Sequence, residues 1–283
     1  METLLWIGLA LVTGFILLLL MAADEPVFAI SAGSPAWFVA LRLPQTREPT
    51  LAPGVRQRWR SDADFALIGA DDPYWSRFLI LSGGGPEDLP LALDGVEDAY
   101  IARVRLRAPP KLALGLLRLL VVLGILNKPR GEIMHDASHT GFRADAMPSA
   151  SAIATLLAKP ASYAPAMVNF LRYGVAANYP PTRPPSTGRA AYRRYGMVAM
   201  RTVYRTGGRL LFYGAVEQVL RAASAGPTRG DWHDVAAMRY PSPPALLSME
   251  HVPAYRAALI HRDAGLDRTV VIASTPTSSA TGR

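Results

Sequence analysis

The chain contains no cysteine. That excludes disulfides, thiolate nucleophiles and cysteine-ligated metals, and it leaves the compartment open. Lysine occurs only at Lys111, Lys128 and Lys159, so the net charge of +8 is carried almost entirely by arginine. Arginine suits bidentate contacts with carboxylates and phosphates. Two readings of this charge stand side by side: an arginine-rich surface, or a basic binding site. The basic residues fall in short clusters such as Arg56, Arg58 and Arg60, or Arg103, Arg105 and Arg107. No long basic stripe with interleaved aromatics occurs, which argues against nucleic acid as a partner.

Several catalytic signatures are also missing. Gly83, Gly84 and Gly85 form a glycine run, but the Walker lysine and the GxGxxG spacing are absent, so a plain turn is expected there. No GxSxG occurs, so no serine triad is read. His135 and His139 lie four apart beside Asp136 and are weak metal candidates, with no HExxH glutamate and no assured third ligand. No metal site is expected, and no cofactor motif identifies a cofactor.

Half of the 283 residues are apolar and 18% are charged, which suits a folding chain with room for two ordinary domains. Residues 4–21 form an uncharged, apolar run that, extended to Ala23, is long enough to span a hydrocarbon core as a helix. A single transmembrane anchor is therefore expected over residues 1–23, with the membrane as a partner through residues 4–23. A cleaved signal peptide is the rival reading; Glu2, the lack of basic residues before the run and the exit Met21-Ala22-Ala23-Asp24 oppose it. The arginines from Arg42 onward favour a cytoplasmic soluble part of a single-pass membrane protein.

A linker is read at residues 24–35. Residues 36–107 then carry short strands at 36–43, 65–69, 77–81 and 99–107, with helical segments at 49–60 and 86–93. That order, β-α-β-β-α-β, reads as a degenerate ferredoxin-like domain. Residues 108–164 hold an apolar helix, a loop and a connecting helix. The apolar helix suits a core position, a membrane surface or a partner. Residues 165–274 repeat the β-α-β-β-α-β order more clearly, and 275–283 form a polar tail.

In the strand at 167–173, Met167, Asn169, Leu171 and Tyr173 share one face, opposite Val168, Phe170 and Arg172. Asn169 either bonds a neighbouring loop or holds a ligand. A proline-rich loop follows at 174–187 and is long enough to cover a site. Five runs, at 167–173, 191–196, 207–214, 231–242 and 253–266, resemble the DUF1330 family of the dimeric α/β-barrel superfamily. The resemblance implies a ferredoxin-like βαββαβ C-terminal domain whose sheet pairs face to face, either in a homodimer or with an internal copy as a pseudo-dimer. It brings no catalytic residues, and the proline-rich loop departs from the pattern.

Two functions are weighed. One is a small-molecule or enzymatic pocket between sheet and helices, with Asn169, Arg172, Tyr195, His251 and Tyr255 as candidates. Tyrosine and histidine suit proton transfer there, and arginine suits an anion. The other is a non-catalytic dimerisation or assembly module. Convergence of the candidates on one roomy cavity separates the first from the second.

Overall fold

The computed structural model describes residues 2–21, 25–31, 33–44, 46–126, 129 and 141–277. An N-terminal helix, α1 (Glu2–Met21), precedes four strands, β1 (Ala36–Arg42), β2 (Arg56–Ile68), β3 (Arg77–Ser82) and β4 (Asp98–Leu106). Helices α2 (Lys111–Val122) and α3 (Ala150–Leu157) follow. The second half runs β5 (Ala166–Tyr173), α4 (Gly188–Arg205), β6 (Arg209–Arg221), β7 (Asp234–Arg239), α5 (Pro243–Leu247), α6 (Pro253–Gly265) and β8 (Leu266–Pro276).

All eight strands close into one antiparallel barrel in the order β1-β3-β2-β8-β5-β7-β6-β4. This corrects the expected fold class, a ferredoxin-like βαββαβ C-terminal domain behind a separate degenerate copy. The physical reason lies at the edges. β2 pairs with β8 from Ser61–Pro276 to Ile68–Val271, and β4 pairs with β6 from Ile101–Arg221 to Leu106–Gly214. Each half thus satisfies the open backbone edges of the other, and closure removes them.

Residues 56–60, the second part of the helix expected at 49–60, are instead the start of a long strand. The segment expected to be helical enters β2, where alternation places Trp59 and Ala63 on the interior face. A register shift between Ala63 and Phe65 then turns Phe65 and Leu67 outward beneath α3, against Ala152 and Leu156. Residues 86–93 likewise form turns and an isolated bridge instead of a helix.

The barrel interior is filled by aromatic side chains from both halves. Phe38 lies edge-on to Phe170, with ring centroids 5.3 Å apart, and 5.8 Å from Phe212. Tyr100 lies 5.8 Å from Phe170, and Trp232 5.6 Å from it. Rings at these separations attract beyond simple area burial. On the outer face, α4 packs over β5, β6 and β8, α6 packs on α4, and α3 packs on β2.

Among the described residues, no helix is long and apolar enough to cross a membrane. The expected transmembrane anchor, and with it the single-pass membrane localisation, is corrected accordingly. The C-terminal turn of α1 packs on α2: Leu19 is buried, and a Cβ at Gly115 would lie 2.0 Å from the Leu19 carbonyl oxygen. α2 in turn presses Leu114 onto Tyr204 and Leu210.

Candidate functional site

Along β5 and β7 the side-chain period of two divides the chemistry. Val168, Phe170, Val235 and Ala237 enter the barrel core. Met167, Asn169, Leu171, Ala236 and Met238 point the other way, toward the helices. There α4 presents Tyr192, Tyr195, Ala199 and Val203, spaced as one face of a helix. Thr187 caps α4, its Oγ1 accepting from the Ala190 N–H at 3.2 Å, and Gly207 (φ 84°) lies beyond its end. α6 starts at Pro253 and adds Tyr255 and Leu259.

The floor and roof do not fill the space between them. Ala236 on β7 and Ala199 on α4 are small, and a cavity of about 830 Å³ remains. That is the size of an ordinary ligand pocket. Its middle is apolar, and its two ends are polar.

The first polar end is built on Asp234, which is fully buried. The register Leu171–Asp234 places it beside the end of β5. Tyr173 donates to Asp234 Oδ2 at 2.7 Å, and Tyr213 donates to the same oxygen. The two hydroxyls stand 3.2 Å apart. Arg189 donates to Oδ1 at 3.1 Å, with its guanidinium 4.8 Å from the centroid of the Tyr173 ring. Burial, then the neighbouring Asp234 charge, pushes the Tyr213 hydroxyl up to about 12. Burial raises Tyr173 as well, reinforced by Tyr192, Tyr213 and Asp234. Both phenols are therefore neutral donors, and with Arg189 they make three donors to the carboxylate.

The second polar end lies past the other ends of the strands, where Ala166 pairs with Arg239. Tyr195 and Tyr255 share a hydrogen bond of 3.2 Å between hydroxyls. Burial raises Tyr255 well above the usual phenol range. Glu250 also lines the cavity; loss of solvent raises its carboxyl, against the opposing pull of Arg256, Arg262 and His251. Arg262 is buried, donates to the Ala146 carbonyl and lies 3.5 Å from the Met147 sulfur.

Of the residues singled out from sequence, Asn169, Tyr195 and Tyr255 line this cavity. Asn169 donates to the Met167 carbonyl at 2.8 Å and, more weakly, to that of Ala236 at 3.5 Å. Its amide oxygen has no partner among the described residues. Arg172 projects elsewhere, pairs with Asp267 at 2.9 Å and borders a separate cavity of about 350 Å³ with His233. His251 sits in a short 3-10 turn between α5 and α6, its buried Nδ1 without a partner among the described residues. His135 and His139 lie outside the described residues. Among the described residues, no group of three His, Asp or Glu could hold a metal ion.

Tyr213, Asp234, Arg189 and Glu250 were missed. A signal existed for Asp234: it alternates with Ala236 and Met238 on an otherwise apolar strand, so it had to meet donors. Nothing in the sequence marks Arg189 or Glu250.

No family model matches the chain, and no curated protein matches it. Two crystal structures of the RPA0582 protein are similar to it. One is of the methylated protein, at 29% identity, with 47% of this chain and 96% of that chain covered and a TM-score of 0.42. The other, titled a protein of unknown function from Rhodopseudomonas palustris, has the same identity and coverage and a TM-score of 0.41.

Proposed function

We propose that this protein binds a small molecule with an apolar body in the cavity between the outer face of β5–β7 and the helices α4 and α6. The observation that supports the reading is the cavity of about 830 Å³ itself, onto which Asn169, Tyr195 and Tyr255 converge. A purely structural module would bring these side chains into a filled core, as the barrel interior does with Phe38, Phe170 and Phe212. Residues 165–274, the stretch that resembles DUF1330, supply most of the lining. Methionines 167, 200 and 238 give the walls adaptable apolar contact, and the Asn169 oxygen is free to accept a hydrogen bond from the ligand.

The test is binding of the fluorescent apolar probe 1-anilinonaphthalene-8-sulfonate to the full chain. Ala236→Phe and, independently, Ala199→Phe put a ring into the space from floor and roof. Each is expected to weaken the probe about tenfold or more, a loss of contact area that size changes of this order produce. Unchanged probe affinity in both variants, with native circular dichroism, would overturn the reading.

A further inference from the structure

The two ends of the cavity carry different charge, and that difference points to a ligand class. We infer that the bound molecule is an amphiphile with one acidic head group, seated among Arg107, Arg189 and Arg193, with its apolar body running inward. The inference rests on the binding reading of this cavity.

Arg107, Arg189 and Arg193 line the cavity; Arg189 bonds Asp234, Arg107 acts on the neighbouring Tyr213, and Arg193 follows Arg189 by one helical turn. Arg107 directly follows β4, and its backbone N–H donates to the Tyr213 carbonyl at 2.7 Å, which fixes the chain beside that tyrosine. Arg189 and Arg193 stand four apart near the start of α4, on one helix face. Arg189 is already committed to Asp234 Oδ1 at 3.1 Å. The Asp234 carboxylate, in turn, is occupied by Tyr173, Tyr213 and Arg189. One carboxylate therefore neutralises one arginine. Arg107 and Arg193 form no ion pair among the described residues, so two guanidinium groups remain for an incoming anion. Arginine is the side chain best suited to grip a carboxylate or phosphate with paired N–H donors.

The remaining walls set the orientation. Between the ends, Met167, Leu171, Met200, Val203, Leu210 and Met238 offer no hydrogen-bonding groups and Asn169 a single free acceptor, so a sugar or nucleoside would leave most of its polar groups unpaired there. At the far end Glu250 presents a carboxyl whose charged form burial already disfavours. The buried Arg262 accompanies Glu250 there, so an acid at that end meets a carboxyl as well as one guanidinium, whereas at the arginine end it meets net positive charge. A cationic head is repelled from the arginine end by the same two unpaired guanidinium groups. The shared chemistry of carboxylate and phosphate monoester heads fits the arginines equally, and ligand comparison separates them.

The experiment displaces 1-anilinonaphthalene-8-sulfonate from the full chain with four ten-carbon compounds: decanoate, decyl phosphate, decanol and decylamine. An acidic head should bind about tenfold or more tighter than decanol, in line with a charge-assisted contact. In Arg107→Gln and Arg193→Gln that advantage should shrink toward parity, while decanol affinity stays as in the parent. Decanoate ahead of decyl phosphate assigns a carboxylate, and the reverse order a phosphate; both support the acidic head. Decanol or decylamine binding as tightly as the acids overturns the head-group inference and leaves the binding reading standing. An acid advantage that survives both arginine substitutions also overturns it. If no compound displaces the probe while Ala236→Phe still weakens it, the head-group inference falls and the binding reading stands; if Ala236→Phe and Ala199→Phe both leave probe binding intact, the binding reading itself fails.

Discussion

A single carboxylate shows how much of the site depends on one side chain. Asp234 is fully buried, yet it accepts from Tyr173, Tyr213 and Arg189, so its desolvation is offset by donors on three elements. Glu250 is the contrasting case. Burial dominates its environment and lifts its carboxyl above the usual glutamate range. A raised acid binds more protons in the folded state than in the unfolded state. Stability from this group is thus present at low pH and declines as pH rises from the ordinary glutamate value through the raised one. Glu250→Gln removes that titration. Urea denaturation at a series of pH values should show the parent losing stability relative to the variant as pH increases through the weakly acidic range. Parallel curves for the two proteins would show that the carboxyl is not perturbed.

Between residue and fold stand the helix pair α4 and α6, which roof the cavity. Their backbones approach through glycine. A Cβ built on Gly265 would lie 2.6 Å from the Gly188 carbonyl oxygen and 2.7 Å from the Tyr192 nitrogen; one on Gly188 would lie 2.4 Å from the Gly174 carbonyl oxygen. These neighbours are backbone atoms, so a methyl group is accommodated only by moving a helix. Gly265→Ala should therefore cost about 1–3 kcal/mol in urea denaturation, the usual range for overpacking. It should also weaken the cavity probe, because the shifted helix carries Tyr255 and Leu259. A neutral effect on both would mean the helices are free to separate. The proline-rich loop is tied to the same joint: Gly174 N–H donates to the Gly265 carbonyl, and Asn178 N–H to that of Ala264. Tyr179 bonds His261 Nδ1 on α6.

At the scale of the molecule, closure makes the two halves one folding unit. Phe38, Phe78 and Tyr100 from the first half meet Phe170 and Phe212 from the second around one interior. Phe170→Ala should cost about 3–5 kcal/mol, the range for deleting a buried aromatic ring. Trp37, Trp59 and Trp75 lie in the first half and Trp232 in the second, and all are buried. Tryptophan fluorescence and far-ultraviolet circular dichroism should therefore shift together to one lower urea midpoint. Two separate transitions, with the first half unshifted, would show that the halves fold independently.

The alternation of residues 166–173 and 234–239 determined by itself which side chains face the core and which face the helices, because a strand has only two faces. The spacing of Tyr192 and Tyr195, the cap at Ser242 and the break at Pro253 were legible for the same local reason. Periodicity put Asn169 on the helix-facing side of its strand and Tyr195 on an apolar helix stripe, but only the packing of α4 and α6 over the sheet brings them and Tyr255 to one cavity. Arg172 could not be kept there, since its alternation turns it toward Asp267. What the sequence did not decide was non-local. The bulged register of β2, its pairing with β8, and the meeting of β4 with β6 depend on edges more than a hundred residues apart. The apolar run of α1 carried no sign that Leu19 would pack on Gly115. The gathering of Arg107, Arg189 and Asp234 at one end of a cavity likewise required three distant segments to fold together. Local sequence sets faces and caps; only the closed sheet and its packed helices decide which faces meet.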